Sequence, residues 1–270
     1  MKKLFLIIFT LISVAILNGG LLDQNMNFSI FRLSVSYNDA MMSDYKEYPG
    51  STTSDSSFIW GKFNTKFTNV NLDSRIFASL ILDIGYTNGN ISANKMYINS
   101  LQDFLTINGA SNGFHANLVF RMIEGMNGYF DIYGGFIYTS AEKKFNDYIS
   151  SGVSVFPGEF GSYKINMFGP NIGVRADWIV SSFFGIGGKI EGSPYYENNT
   201  VVAGWTSVPI EEYAKGYRCA AEFSMNYKFL LFDINLGARF EKVHFNSGGN
   251  ATHDLDITYM GPFLEVGLSI

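Results

Sequence analysis

The chain has 270 residues, of which 47% are hydrophobic and 16% aromatic, with 28 glycines and a formal charge of −5. Its single cysteine, Cys219, rules out an internal disulfide. The acidic balance excludes a nucleic-acid binder of the usual kind, whose phosphate contacts need a basic surface. No motif asks for a cofactor or a metal: there is no paired-cysteine site, and Gly185-Ile186-Gly187-Gly188 lies within a predicted strand rather than opening a helix.

At the N-terminus, Lys2 and Lys3 precede an apolar run over 4–17 broken only by Thr10 and Ser13. A run of about 14 residues is too short for a helix crossing a roughly 30 Å hydrocarbon core. With Asn18-Gly19-Gly20 after it, the pattern predicts a signal peptide over 1–20 and one domain over 21–270. A membrane anchor is the alternative reading of the same run. No cysteine follows it, so no lipid-attachment signal is present. No later apolar run approaches the roughly 18 residues of a membrane helix, so any insertion is by strands.

Beyond the leader, period-two alternation recurs along the chain. Between 75 and 86, Ile76, Ala78, Leu80, Leu82, Ile84 and Tyr86 share one face, and Arg75, Ser79, Asp83 and Gly85 the other. Side chains of a strand point alternately to opposite faces, so each such stretch is a two-faced strand. Ten are predicted: 27–37, 58–68, 74–86, 113–123, 128–140, 164–179, 183–196, 215–227, 230–245 and 256–270. Pro170 and Pro262 fall inside strands and predict gaps in pairing, because proline cannot donate to a ladder. The connections alternate. Those over 38–57, 87–112 and 141–163 are long. Those over 69–73, 124–127, 180–182 and 228–229 are short.

Long loops at one end and tight turns at the other are the organisation of outer-membrane barrels. Over about 26–270 the chain resembles the bacterial outer-membrane β-barrel proteins. The resemblance implies an all-β fold: a transmembrane, antiparallel, up-and-down barrel of ten strands, with eight or twelve as neighbouring counts, and five long external loops. It also implies residence in the bacterial outer membrane, contact with outer-membrane lipids, and delivery by the barrel-assembly machinery. The family usually ends in an aromatic residue, whereas this chain ends in Ile270.

Strand length, aromatic residues near strand ends (Tyr37, Tyr86, Phe130, Tyr138, Trp178, Phe184, Tyr196, Tyr227) and the loop asymmetry turn the apolar face toward lipid. Cys219 then lies on that face. The opposite face carries Arg32, Lys62, Lys66, Arg75, Arg121, Arg175, Lys189, Arg218 and Arg239, against Asp83, Asp131, Asp177, Glu191, Glu222, Asp233, Glu241 and Glu265. A selective channel needs an excess of one sign at its constriction. Nine positive against eight negative charges in a narrow lumen predict a network of ion pairs.

The leading functional expectation is a non-enzymatic surface or structural protein with a charged, largely plugged lumen and external loops able to bind host or surface ligands. A narrow porin-like channel for small solutes is the alternative. A third reading comes from the omptins, ten-stranded surface proteases that this chain resembles only weakly. Their activity depends on an aspartate pair and an aspartate–histidine pair near the outer rim. Here the histidines are His115, on the polar face, His244, and His253 in the run His253-Asp254-Leu255-Asp256. No residue carries over from the omptins, and no catalytic or metal site is assigned.

Overall fold

The computed structural model describes residues 30–47, 59–98, 100–125, 127–203, 210–229, 231–246 and 254–270. They form ten strands: β1 (Phe31–Glu47), β2 (Ile59–Phe77), β3 (Leu80–Ile98), β4 (Ser100–Gly125), β5 (Gly128–Ser150), β6 (Val153–Ser181), β7 (Phe184–Ala203), β8 (Ile210–Phe229), β9 (Phe232–Asn246) and β10 (Asp254–Ser269). Sequence neighbours pair antiparallel, and β1 pairs with β10 to close the barrel. The closure reaches the final residue, where Ile270 N donates to the Phe31 carbonyl at 2.8 Å and Phe31 N to the Ile270 carbonyl at 3.0 Å. A closed ladder satisfies the backbone internally, the condition for spanning a bilayer with strands. The predicted leader lies outside the described residues.

The strands are longer than the sequence predicts. The expected turn over 69–73 is strand: Asn69, Asn71 and Asp73 of β2 pair with Ser36, Ser34 and Arg32 of β1, and the turn comes at Ala78-Ser79. Likewise the predicted loop over 87–112 is mostly β3 and β4, and that over 141–163 is a hairpin of β5 and β6. Its turn is Ser151-Gly152, both with positive φ (49° and 83°), which matches the right-handed twist of the flanking strands. In the latter two stretches the apolar stripe moves from the outer face to the inner, so the alternation changes phase; in 69–73 Val70 and Leu72 point out, but the inward Asn69, Asn71 and Asp73 read as turn formers.

Which face meets lipid follows from exposure. Near the short turns, large apolar side chains point out, among them Phe77, Trp178, Phe183 and Phe229 at 63–74% exposure. Tyr37, Tyr86, Tyr138 and Tyr217 lie further up on the same outer surface. Tyr196 departs from the expected girdle: it is buried inside the barrel at 1% exposure. A bulge between Ser193 and Tyr196, at Pro194, shifts the alternation by one residue. Pro170 lies where the β6–β7 ladder breaks between Phe168 and Ile172. Beside Pro262, β1–β10 pairing lapses between Asn38↔Phe263 and Met41↔Met260. There the Ala40 carbonyl accepts from the Thr65 hydroxyl at 2.7 Å.

The interior changes character along the barrel axis. Toward the short turns it is polar and charged. Toward the long hairpins it is an apolar core of Ile91, Leu105, Ile107, Ile165, Met167, Val243, Phe245 and Ile257, each no more than 2% exposed. Tyr196 stacks on Phe245 there, with ring centroids 5.8 Å apart.

Candidate functional site in the barrel lumen

Inward-facing residues of every strand converge on one polar interior, because only every second residue can face it. The lattice begins at the turn end. Arg32 pairs with Asp233 at 2.6 Å and with Glu265. Arg121 and Arg175 hold the fully buried Asp131 between them, at 2.9 and 2.8 Å. Glu124 accepts from Arg75 at 2.9 Å and from Arg121 at 3.0 Å.

Higher up, Glu191 takes Arg218 at 2.6 Å and Lys189 at 2.8 Å, and the Tyr133 hydroxyl donates to it at 3.0 Å. Glu241 joins Arg218 and Arg239 at 2.8 and 2.7 Å, and Arg239 also holds Glu222. A polar chain runs from His115 through Asp83, Asn117 and Asn171 to Arg218, with contacts of 3.2, 3.0, 3.2 and 3.4 Å. Asp177 accepts from Asn226.

Glycine makes room for these long side chains. A Cβ at Gly85 would sit 2.1 Å from the His115 ring, and one at Gly267 2.6 Å from the Asp233 carboxylate. Inward glycines are the floor on which neighbouring polar groups lie.

Fifteen of the predicted lumen residues stand in this interior: Arg32, Arg75, Asp83, Arg121, Asp131, Arg175, Asp177, Lys189, Glu191, Arg218, Glu222, Asp233, Arg239, Glu241 and Glu265. Lys66 does not. It is exposed on the outer surface opposite Asp39, because β2 keeps its odd-numbered residues inward from Thr65 to Arg75. The Lys62 side chain lies outside the described ones. Three charges escape the sequence reading: Asp73, Glu124 and Lys228. Each falls in a stretch read as a turn. The balance therefore changes, to eight cations against ten carboxylates in the charged interior.

Two spaces lie inside among the described residues, each lined by the network. The larger, about 280 Å³, lies among the charged residues and has Ile81, Ile137 and Phe263 as its apolar lining. The smaller, about 100 Å³, is lined by Ile137, Met167 and Tyr259 and abuts the apolar core. Above it, Lys143 is buried at 3% exposure with its ammonium 5.6 Å from the Tyr163 ring centre. Burial pulls this ammonium down to about 7.

The rim holds an aspartate–histidine pair. His244 Nδ1 lies 3.0 Å from Asp256, and Nε2 lies 3.1 Å from Asn246 Oδ1. Both nitrogens are engaged, and the pair is on the outer surface, since Val243, Phe245, Leu255 and Ile257 take the inward positions. His253 lies outside the described residues. Cys219 is exposed on the outer face, as expected. Among the described residues no group of three or more His, Cys, Asp or Glu side chains could hold a metal ion.

The fold is that of the outer-membrane β-barrels. The outer membrane protease OmpT from Escherichia coli superposes with a TM-score of 0.70 at 10% identity, covering 89% of this chain and 96% of that one. The translocator domain of the autotransporter NalP from Neisseria meningitidis gives 0.43 at 11% identity, covering 100% of this chain and 96% of that one. No family model and no curated protein matches the sequence.

Proposed function

We propose that this chain is a non-enzymatic protein of the bacterial outer membrane, a barrel closed to solutes that carries long β-hairpins outside the cell. The observation that carries the reading is the pair of stacked barriers in one lumen. Below, the charges are largely spent on each other, which leaves little of the one-signed constriction a selective channel requires. Above, the apolar core offers neither space nor hydration to an ion, and an unpaired charge there would bear a large desolvation cost. The outward direction of His244–Asp256, away from the barrel mouth, speaks against an omptin-like protease.

The test is ion conductance of the refolded chain from residue 21 in a planar bilayer. Inserted protein should be silent. Stable single-channel steps would favour a narrow porin-like path instead. Cleavage of a basic peptide by the same preparation, lost on His244→Ala, would favour a protease.

A further inference from the structure

The charged chamber has unmet demand on one wall. Its ten carboxylates outnumber its eight cations when His115 is neutral. Asp73 stands apart from the tight pairs, 3.6 Å from Arg175 and 3.9 Å from Arg32. Those separations exceed a hydrogen bond, and its Oδ1 is buried with no hydrogen-bond partner. Ser34 Oγ and Asn38 Oδ1, in residues 1% and 6% exposed, also have none. All three belong to the β1–β2 wall, where Arg32 pairs with Asp73 and Ser34 with Asn71. Asp73 and Asn38 line the chamber.

These three orphans are oxygens; the other buried atom of this wall without a hydrogen bond, Nε of Arg75, belongs to a guanidinium that Glu124 already holds. A group that satisfies them must bring N–H donors, and positive charge meets the carboxylate surplus. From the level of Asp73, opposite Arg32, to Asn38 is six residues of strand, about 20 Å at roughly 3.3 Å per residue. The occupant is therefore slender and carries donors at intervals. Ile137 and Phe263 offer apolar surface for methylenes between them. The spread of the three oxygens along the wall and the apolar lining between them suit an organic cation rather than a single metal ion.

We propose that the chamber binds a linear aliphatic polyamine, entering from the short-turn end. The direction of entry rests on the sealed hairpin end argued above.

The test is titration calorimetry of the refolded barrel in detergent with spermine, against succinate and 1,4-butanediol. Saturable binding of spermine alone is expected. Asp73→Asn should weaken it about tenfold or more, the usual worth of a hydrogen bond to a charged group. Ser36→Lys, which places an ammonium in the chamber from the same wall, should abolish it. The proposal falls if folded wild-type protein gives no heat, if succinate binds as well, or if Ser36→Lys binds normally. Should Asp73→Asn fail to fold, Ser36→Lys decides. Calorimetry in detergent is blind to the seal, whose failure would show as conductance.

Discussion

Asp131 shows what a lumenal charge contributes as a single residue. Its carboxylate is fully buried between two guanidinium groups, with side-chain exposure of 0%. Asp131→Asn keeps the shape but leaves both arginines undercompensated. A loss of roughly 3–5 kcal/mol is expected, the range for breaking a buried pair, read as a lower urea midpoint. Lys143 illustrates the opposite case, a cation whose surroundings favour its neutral form. With a folded value of about 7, below that of the unfolded chain, the unfolded state holds the extra proton from there up to the ordinary lysine range. Stability should therefore rise with pH across that window, by at most about 1.4 kcal/mol per pH unit from this group. Lys143→Met should flatten that part of the urea-midpoint profile between pH 7 and 10.

At the scale of elements, the hairpin of β5 and β6 projects beyond the closed ladder. Among the described residues, β6 pairs with β5 but not with β7 between Val153 and Gly161, its pairing with β7 beginning at Ser162. Replacing 149–155 with Asn-Gly should leave a folded barrel with an unchanged melting temperature, because Tyr148, which packs on the apolar core, and its partner Phe156 are kept; circular dichroism on heating would check this. Much of this architecture was legible beforehand. Ten strands, their order and fifteen of the lumenal charges follow from alternation, which a sheet with one lipid face must obey, and both gaps follow from proline's missing donor. Strand ends toward the hairpins were not legible, because there the apolar stripe moves from the outer face to the inner and the alternation changes phase. Asp73, Glu124 and Lys228 escaped notice because they stand beside the short turns, where an inward polar residue reads as part of the turn. Lys66 failed for a related reason: its strand was read in the wrong phase, and a one-residue slip turns every side chain to the other face. Tyr196 needed the bulge at Pro194, which alternation alone does not announce.

For the whole molecule, the two barriers should act in series. Breaching the ionic layer alone, with Asp131→Asn, should leave the barrel silent in a planar bilayer. Opening the apolar core as well, with Ile107→Ser and Phe245→Ser added, should give single-channel steps. Conductance from Asp131→Asn alone would mean that the apolar core does not seal.

The reversal of polarity along the axis also sets how deep the protein floats. Outside, apolar side chains at the turn end give way upward to Lys66, Lys215 and Lys242, the last two with side chains 69% and 41% exposed. Sinking by about 5 Å would press those ammonium groups toward hydrocarbon, where a lysine costs up to about 2–4 kcal/mol at mid-depth and little at the interface. Rising by as much would draw the short turns into hydrocarbon and lift Tyr37, Tyr86 and Tyr138 into water. The barrel thus carries its own waterline, and a bilayer of another thickness would have to bend to meet it.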